Sequence, residues 1–236
     1  MLSFLREITK RVMRYQDRDI DRLQIDRDDS LSKPERVILG LDLGEVQDHS
    51  ALCALQAEKR PDAKGKTVRH FACRLLCRWP LNTGYEEIIE DLRKICENLP
   101  SPPDLVVDGT GAGRPVLQML VSARLAVDEI IGVIITGGTQ VSHPGPEWHV
   151  AKRELVSTVS SVLQSKRLQI STKLSEYKTL LRELQNFKVK INVNTGNESF
   201  EAWRAREHDD LVLATALALW WGEYFTEFSA DMVYVG

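Results

Sequence analysis

The pattern of apolar and polar positions separates a charge-dense start from a long segment in which apolar runs recur. Residues 1–35 mix acidic and basic side chains, and we predict a short helix followed by a linker or arm there. The helical spacing in this arm joins Leu5, Ile8, Val12 and Tyr15. We predict one compact domain over residues 36–228 and a C-terminal tail over residues 229–236.

Short apolar runs bounded by turn residues predict strands. These runs lie at residues 36–44, 50–59, 68–79, 104–109 and 129–136. A turn at residues 61–66 predicts a hairpin between the second and third strands, and residues 167–171 form a further short extended piece.

Apolar residues three and four positions apart predict helices between and after these strands. The helices cover residues 84–99, 113–126, 149–166, 174–187 and about 208–224. One face of the fourth helix is expected to carry Leu174, Tyr177, Leu181, Leu184 and Phe187. Residues 137–148 are expected to form a loop, and residues 188–203 a β-hairpin close to the last helix. The order of elements favours an α/β fold, a mixed sheet of about five strands with helices on its faces.

Composition describes an ordinary soluble protein and narrows the function classes. The 236 residues are 43% hydrophobic and 28% charged, with a formal net charge of −3. A polycation that coats nucleic acid is disfavoured, whereas an enzyme with a local basic patch is compatible with this charge. The four cysteines form no CxxC pair and no signal peptide is evident, which predicts free buried thiols in a reducing cytoplasm. The longest apolar stretch, residues 211–221, is too short to span a bilayer, so no membrane partner is expected.

Acidic residues stand where predicted strands end and where the last helix begins. Asp42 and Asp108 end apolar strands, and Asp209 and Asp210 open a strongly apolar helix. In open α/β sheets, sites form outside the carboxyl ends of the strands. Carboxylates gathered there repel one another unless a cation lies between them. We therefore predict a site for Mg²⁺ or Mn²⁺, hard cations that prefer oxygen ligands.

Each of these acids also has a structural interpretation. Asp42 and Asp108 could be turn formers, and Asp209 or Asp210 could cap the last helix. Adjacent helical residues point about 100° apart, so one of the pair is expected to bind metal directly, with a preference for Asp210. Asp48 is assigned a structural role in a turn rather than a contact with a metal-bound water.

Six segments follow one another in a specific order along the predicted domain. They are GLDLGEVQDHSAL, VVDGTGAGRPVLQML, ITGG, KREL, LLRELQNF and HDDLVLATALALWW. This ordered set, spanning roughly residues 36–225, resembles the nuclease domain of phage large terminase subunits. The resemblance implies an RNase H-like (RuvC-like) fold and an endonuclease that cuts concatemeric viral DNA during packaging, with two Mg²⁺ or Mn²⁺ ions.

The resemblance also implies residue roles and partners. Asp42 matches the acid on the first strand and Asp108 the acid on the fourth, while Asp209 and Asp210 match the acidic positions of the last helix. Double-stranded DNA is the implied substrate, in the cytoplasm of a bacterial host. The chain has no GxxxxGK(S/T) loop, so the terminase ATPase is expected elsewhere. A separate ATPase, the small terminase subunit and the portal are the candidate partners.

Basic residues and histidines supply candidates for contacts with the DNA backbone. The basic candidates are Lys152, Arg153, Lys188, Lys190, Arg204 and Arg206. His49 and His208, which flank acidic residues, are interpreted as exposed turn residues or as phosphate contacts.

Three other functions remain open from the sequence. A Holliday-junction resolvase-like nuclease would share the fold and the acids. An ATP-binding protein of the actin and sugar-kinase type also places phosphate loops after strands, as at residues 42–44 and 108–111, but it would leave the acidic start of the last helix unexplained. A non-catalytic RNase H-like module is the third.

Overall fold

The computed structural model describes residues 36–44, 48–61, 65–110, 113–193 and 209–231, with the side chains of 113–114, 186–193 and 225–231 excepted. The strands are β1 (Arg36–Asp42), β2 (Ala51–Pro61), β3 (Thr67–Arg78), β4 (Asp104–Asp108), β5 (Glu129–Thr136), β6 (Glu147–Ala151) and β7 (Leu168–Ile170). The helices are α1 (Tyr85–Glu97), α2 (Gly113–Ser122), α3 (Lys152–Gln164), α4 (Tyr177–Val193) and α5 (Asp210–Asp231).

The described strands form one mixed sheet in the order β6-β5-β4-β1-β2-β3-β7. Strand β2 runs antiparallel to both of its neighbours, β1 and β3, and the remaining neighbouring pairs are parallel. Apart from β2, every described strand therefore points its carboxyl end toward the same edge of the sheet, where an α/β fold places its site.

Helices cover both faces of the sheet, and each face has its own apolar core. On one face, α5 packs with α3 and α4 against side chains such as Ile38 and Val106. On the other face, α1 and α2 pack against Leu39, Leu41 and Val107. Because successive strand residues point to opposite faces, the even-numbered residues of β1 and β4 face α5.

The described residues form seven strands, whereas about five were predicted. The two additional strands are the edge strands β6 and β7. Strand β6 lies partly in the predicted loop 137–148 and partly in the predicted helix 149–166, so α3 begins only at Lys152. Strand β7 falls in the short extended piece and has only three residues.

The predicted hairpin over residues 188–203 is wrong in its first arm. Helix α4 continues through residues 188–193, and residues 194–203 lie outside the described residues. The segment KVKINV alternates like a strand, but no helix-breaking residue separates it from the helical run before it. Local strand propensity is a weak preference that tertiary context overrides.

Within the described part of the chain, no helix combines the length and the apolar character that crossing a membrane requires.

Candidate metal and active site

Asp42 and Asp108 lie side by side at the carboxyl edge of the sheet. Strands β1 and β4 are parallel neighbours, with Leu41 opposite Val107, and each aspartate is one residue beyond this last pair. Both side chains therefore point to the face covered by α5, with roughly 5 Å between the strands. Asp42 and Asp108 are 9% and 5% exposed, so their charges are largely withdrawn from water.

Gly40 brings α5 into direct contact with β1. A Cβ atom at Gly40 would overlap the carbonyl oxygen of Ala214 and come within 2.9 Å of the Ala218 nitrogen. Farther along the helix, Gly222 packs beside Ile38, at the amino end of the strand. The helix thus runs antiparallel to β1, and its first residue, Asp210, lies toward the end of the strand that carries Asp42.

The start of α5 carries the remaining two acids. The carbonyl oxygen of Asp209 accepts the first intrahelical hydrogen bond, from the Leu213 N–H at 2.9 Å, which makes Asp209 the N-cap residue. Asp210 follows as the first helical residue and is buried. The helix-start pair therefore lies at the same end of the sheet as the strand-end acids Asp42 and Asp108.

Arg78, the last residue of β3, binds Asp210. Its Nε and Nη2 atoms lie 3.2 and 3.1 Å from Oδ2 of Asp210. The sheet register aligns Asp42 with Ala51 and Ala51 with Arg78, so the guanidinium stands two strands from Asp42 on the same face. A positive charge therefore borders the acidic positions, a feature absent from the sequence-based prediction.

Hydrogen bonds fix the orientation of Asp108. Its Oδ1 accepts the backbone N–H of Thr110 at 2.8 Å, and the Thr110 hydroxyl oxygen accepts the Ile135 N–H at 2.8 Å. The adjacent Gly109 N–H donates to the Val133 carbonyl at 2.8 Å. This bonding ties the turn after β4 to β5 and presents the aspartate at a fixed place.

Glu183 of α4 is a buried acid that sequence reasoning missed. Its Oε2 accepts the Val212 N–H of α5 at 2.8 Å, and its Oε1 is buried without a hydrogen-bond partner among the described residues. Burial raises the pKa of Glu183 to about 8, and Asp210 and Asp209 add to this increase. The buried stripe of α4 runs through Leu180, Glu183 and Leu184, and the predicted Leu181 is instead 40% exposed.

The histidine and Asp48 candidates have different positions. His49 is half-buried, and its Nδ1 lies 2.7 Å from the carbonyl oxygen of Trp79, which anchors the ring to the end of β3. Asp48 is exposed, and its backbone carbonyl lies close to Gly44. His208 lies outside the described residues.

The basic candidates are only partly described. Lys152 and Arg153 open α3 directly after β6, and hence lie at the same edge of the sheet as the acids. The Arg153 Nη2 donates to the Thr139 carbonyl at 2.6 Å, which ties this residue to the loop after β5. Lys188 and Lys190 belong to α4, but their side chains, like Arg204 and Arg206 altogether, lie outside the described residues.

The donor chemistry of this edge fits a hard divalent cation. Among the described residues, no three His, Cys, Asp or Glu side chains stand close enough together to form a complete metal-binding group. The acids brought to the edge nevertheless offer only carboxylate oxygens, which suit Mg²⁺ and Mn²⁺. Their partial burial strengthens both their mutual repulsion and their attraction for a cation.

Comparison with known proteins identifies the fold. No protein-family model and no curated protein matches the chain. It is similar to the large terminase nuclease from the thermophilic phage G20c, with 20% identity, 78% of this chain and 80% of that chain covered, and a TM-score of 0.50. It is also similar to the Mn-soaked, inhibitor-bound terminase nuclease domain of human cytomegalovirus, with 13% identity, 80% and 83% coverage, and a TM-score of 0.50. The fold is RNase H-like. More narrowly, it is the fold of large terminase nuclease domains.

Proposed function

We propose that this chain is a divalent-metal-dependent endonuclease that hydrolyses DNA phosphodiester bonds. The observation that carries the proposal is the placement of Asp42, Asp108 and the start of α5 at one edge and on one face of the sheet. The likeness to terminase nucleases supports it, because one of them was studied with Mn.

The acids divide the work of holding two ions. Asp42, between Asp108 and α5, would hold the ions together with Asp108 and one of Asp209 and Asp210. When bound, the ions would supply activation of the attacking water and stabilisation of the leaving oxygen in an in-line displacement. The Thr110 N–H binds the Asp108 carboxylate, and the Arg78 guanidinium binds the Asp210 carboxylate. These contacts orient both carboxylates before DNA binds.

Basic residues at the same edge would hold the DNA backbone. Lys152 and Arg153 follow β6 at this edge, and Lys188, Lys190, Arg204 and Arg206 are the further candidates. Contacts with phosphates position a duplex but carry no base information, so cleavage with weak sequence preference is expected. We propose that the biological substrate is viral DNA undergoing packaging, with a terminase ATPase, the small subunit and the portal as partners.

Plasmid cleavage tests the proposal. Purified protein with Mn²⁺ is expected to convert supercoiled plasmid to nicked and linear forms, and chelation should stop the reaction. Asp42→Asn and Asp108→Asn should each abolish cleavage. Asp128→Asn is the matched control, because Asp128 is an exposed aspartate paired with Arg36 at the opposite edge of the sheet. The proposal would be contradicted if the plasmid stayed intact under conditions where a reference nuclease cuts it.

The form of DNA that the protein cleaves distinguishes a packaging nuclease from a junction resolvase. Linear duplex, four-way branched and single-stranded DNA of equal length should be compared at the same Mn²⁺ concentration. Efficient cleavage of unbranched duplex is expected here. Cleavage confined to the branch point would contradict a packaging role and favour a junction resolvase.

A further inference from the structure

Glu183 makes a contact with α5 that the proposed chemistry does not use. The Val212 N–H donates to Oε2 of Glu183 at 2.8 Å, across 29 residues of sequence. Val212 is the third residue of α5, so its N–H belongs to the first turn, where the backbone donors have no acceptor within the helix. Glu183 thus satisfies one of these donors from a neighbouring helix.

This hydrogen bond replaces one that the side chain of the N-cap residue normally accepts. In most helices, the N-cap side chain accepts the N–H two or three residues ahead. Here the N-cap is Asp209, and Val212 is three residues ahead of it. With Glu183 as the acceptor, the Val212 N–H does not depend on the Asp209 carboxylate.

Keeping a carboxyl group at this position is costly. Glu183 is 7% exposed, and its Oε1 is buried without a hydrogen-bond partner among the described residues. An unsatisfied buried polar atom costs roughly 1–3 kcal/mol, and more when it is charged. A leucine would extend the apolar stripe formed by Leu180 and Leu184 without this cost, so burial alone does not explain an acid here.

The apolar surface of α5 makes its rotation sensitive to polar contacts. Its residues bury apolar side chains nearly all around the helix: Leu211, Val212, Ala214, Ala216, Leu217, Ala218 and Leu219 are fully buried. Apolar packing is weakly directional. With a side-chain radius of about 5–6 Å, a rotation of 20° moves a carboxylate by roughly 2 Å, whereas metal–ligand distances tolerate only about 0.2 Å.

Resting on the proposed function, we propose that Glu183 is a positioning residue of the acidic site. By binding the Val212 N–H, it caps α5 and fixes the rotation of the first turn, and with it the positions of Asp209 and Asp210, one of which would hold a divalent cation. Its own carboxylate does not bind the metal. Arg78 holds the same turn from the other side through Asp210, so the helix start is fixed at two points.

Titration with Mn²⁺ in the absence of DNA tests this role. The affinity of the wild-type chain is measured by calorimetry and compared with Glu183→Ala, Glu183→Gln and the matched control Gln185→Ala, on the exposed side of α4. Removal of groups that orient metal ligands typically costs roughly 10- to 100-fold in metal affinity, and we expect that loss for Glu183→Ala. The amide oxygen of Glu183→Gln can still accept the Val212 N–H, so its affinity should stay within roughly threefold of wild type, less than 1 kcal/mol.

Hydrogen exchange supplies a second, metal-independent measurement. In Glu183→Ala, the Val212 amide should exchange faster than in wild type, while amides in the middle of α5 should stay protected. If Glu183→Ala does not fold, Glu183→Asp replaces it, because the shorter side chain cannot reach the N–H and should weaken Mn²⁺ binding in the same way.

The outcomes separate this inference from the proposed function. Folded Glu183→Ala that binds Mn²⁺ like wild type overturns the positioning role alone. Glu183→Gln that loses as much affinity as Glu183→Ala also overturns it, because a direct ligand would behave so. If the wild-type chain itself binds no Mn²⁺, the metal site and the positioning role both fail.

Discussion

Arg78 and Asp210 form an ion pair that joins the last residue of β3 to the first residue of α5. Two nitrogens of the guanidinium lie 3.2 and 3.1 Å from a single carboxylate oxygen, across 132 residues of sequence. The side chains are 18% and 6% exposed, so the pair is largely shielded from water. It therefore sets both the position of the helix start and the charge balance of the acidic edge.

Removing the guanidinium is expected to destabilise the chain. Arg78→Met keeps an apolar side chain but leaves the Asp210 carboxylate without this partner. Breaking a buried pair costs about 3–5 kcal/mol, and the partial exposure of Arg78 lowers our expectation to roughly 2–3 kcal/mol. Urea unfolding of the metal-free proteins measures the difference.

Arg74→Met on the same strand is the matched control, because the Arg74 Nε donates to the neutral amide oxygen of Gln56 at 2.9 Å. It should cost less than the Arg78 variant. Equal losses for the two variants would mean that the ion pair with Asp210 contributes nothing specific.

The close approach of α5 to β1 depends on the absence of a side chain at Gly40. In Gly40→Ala, the added methyl meets backbone atoms of Ala214 and Ala218, which cannot rotate away. Overpacking of this kind costs roughly 1–3 kcal/mol. A displaced α5 should also weaken Mn²⁺ binding, measured by calorimetry below the unfolding temperature.

Gly84→Ala is the control for this prediction, since a Cβ there meets no atom within 4 Å and its φ is −67°. Because Gly84 is the N-cap of α1, where alanine is less favourable than glycine, this change should cost about 0.5 kcal/mol and leave Mn²⁺ affinity at the wild-type value. Wild-type stability and wild-type Mn²⁺ affinity in Gly40→Ala would show that the helix does not need this contact.

The strand-end acids could be predicted from sequence because the relevant signals are local. Apolar runs that end in aspartate identify Asp42 and Asp108, and an apolar helix with an acidic start must pack its first turn close to the sheet. The strand at 129–136 matched its predicted bounds for the same reason. Strand β6 was missed because its apolar residues run without a break into those of α3.

Arg78 and Glu183 could not be predicted because their roles depend on non-local geometry. Arg78 meets Asp210 only through the register of β1, β2 and β3, which places it level with Asp42. Glu183 occupies an apolar stripe, and a charged residue is normally left out when an apolar face is counted. Its burial follows from the packing of α4 against α5, and that packing is not encoded in helical spacing alone.

The cysteines should be unreactive in the folded protein, as their predicted burial implies. Cys53, Cys73, Cys77 and Cys96 are all buried and free. Burial raises the pKa of Cys96 to about 11 and that of Cys77 further, while a hydrogen bond with Cys53 is the main cause of the raised pKa of Cys73. At pH 8 the thiolate fraction of Cys96 is then about one in a thousand.

A disulfide reagent such as DTNB at pH 8 should therefore find no rapidly reacting thiol in the native protein and four after unfolding in guanidinium. The thiolate is the reacting form, so the native-state rate at Cys96 should rise about tenfold per pH unit up to its pKa. Rapid reaction of any thiol at pH 8 would contradict the burial of these side chains.

Asp42→Asn should separate folding stability from metal binding. The amide removes one negative charge from an edge where Asp108 lies on the neighbouring strand, so repulsion falls and the metal-free variant should unfold at the wild-type Tm or a few degrees above it. Wild-type protein in Mn²⁺ at 100 times its Kd should gain about 2.7 kcal/mol. The variant should gain almost none, because its amide is a weaker ligand at the position between the other acids.

Asp128→Asn should keep the full gain, since Asp128 lies at the opposite edge beside Arg36. Thermal unfolding of the three proteins with and without Mn²⁺ measures these shifts, and an undiminished gain in Asp42→Asn would remove Asp42 from the proposed metal site.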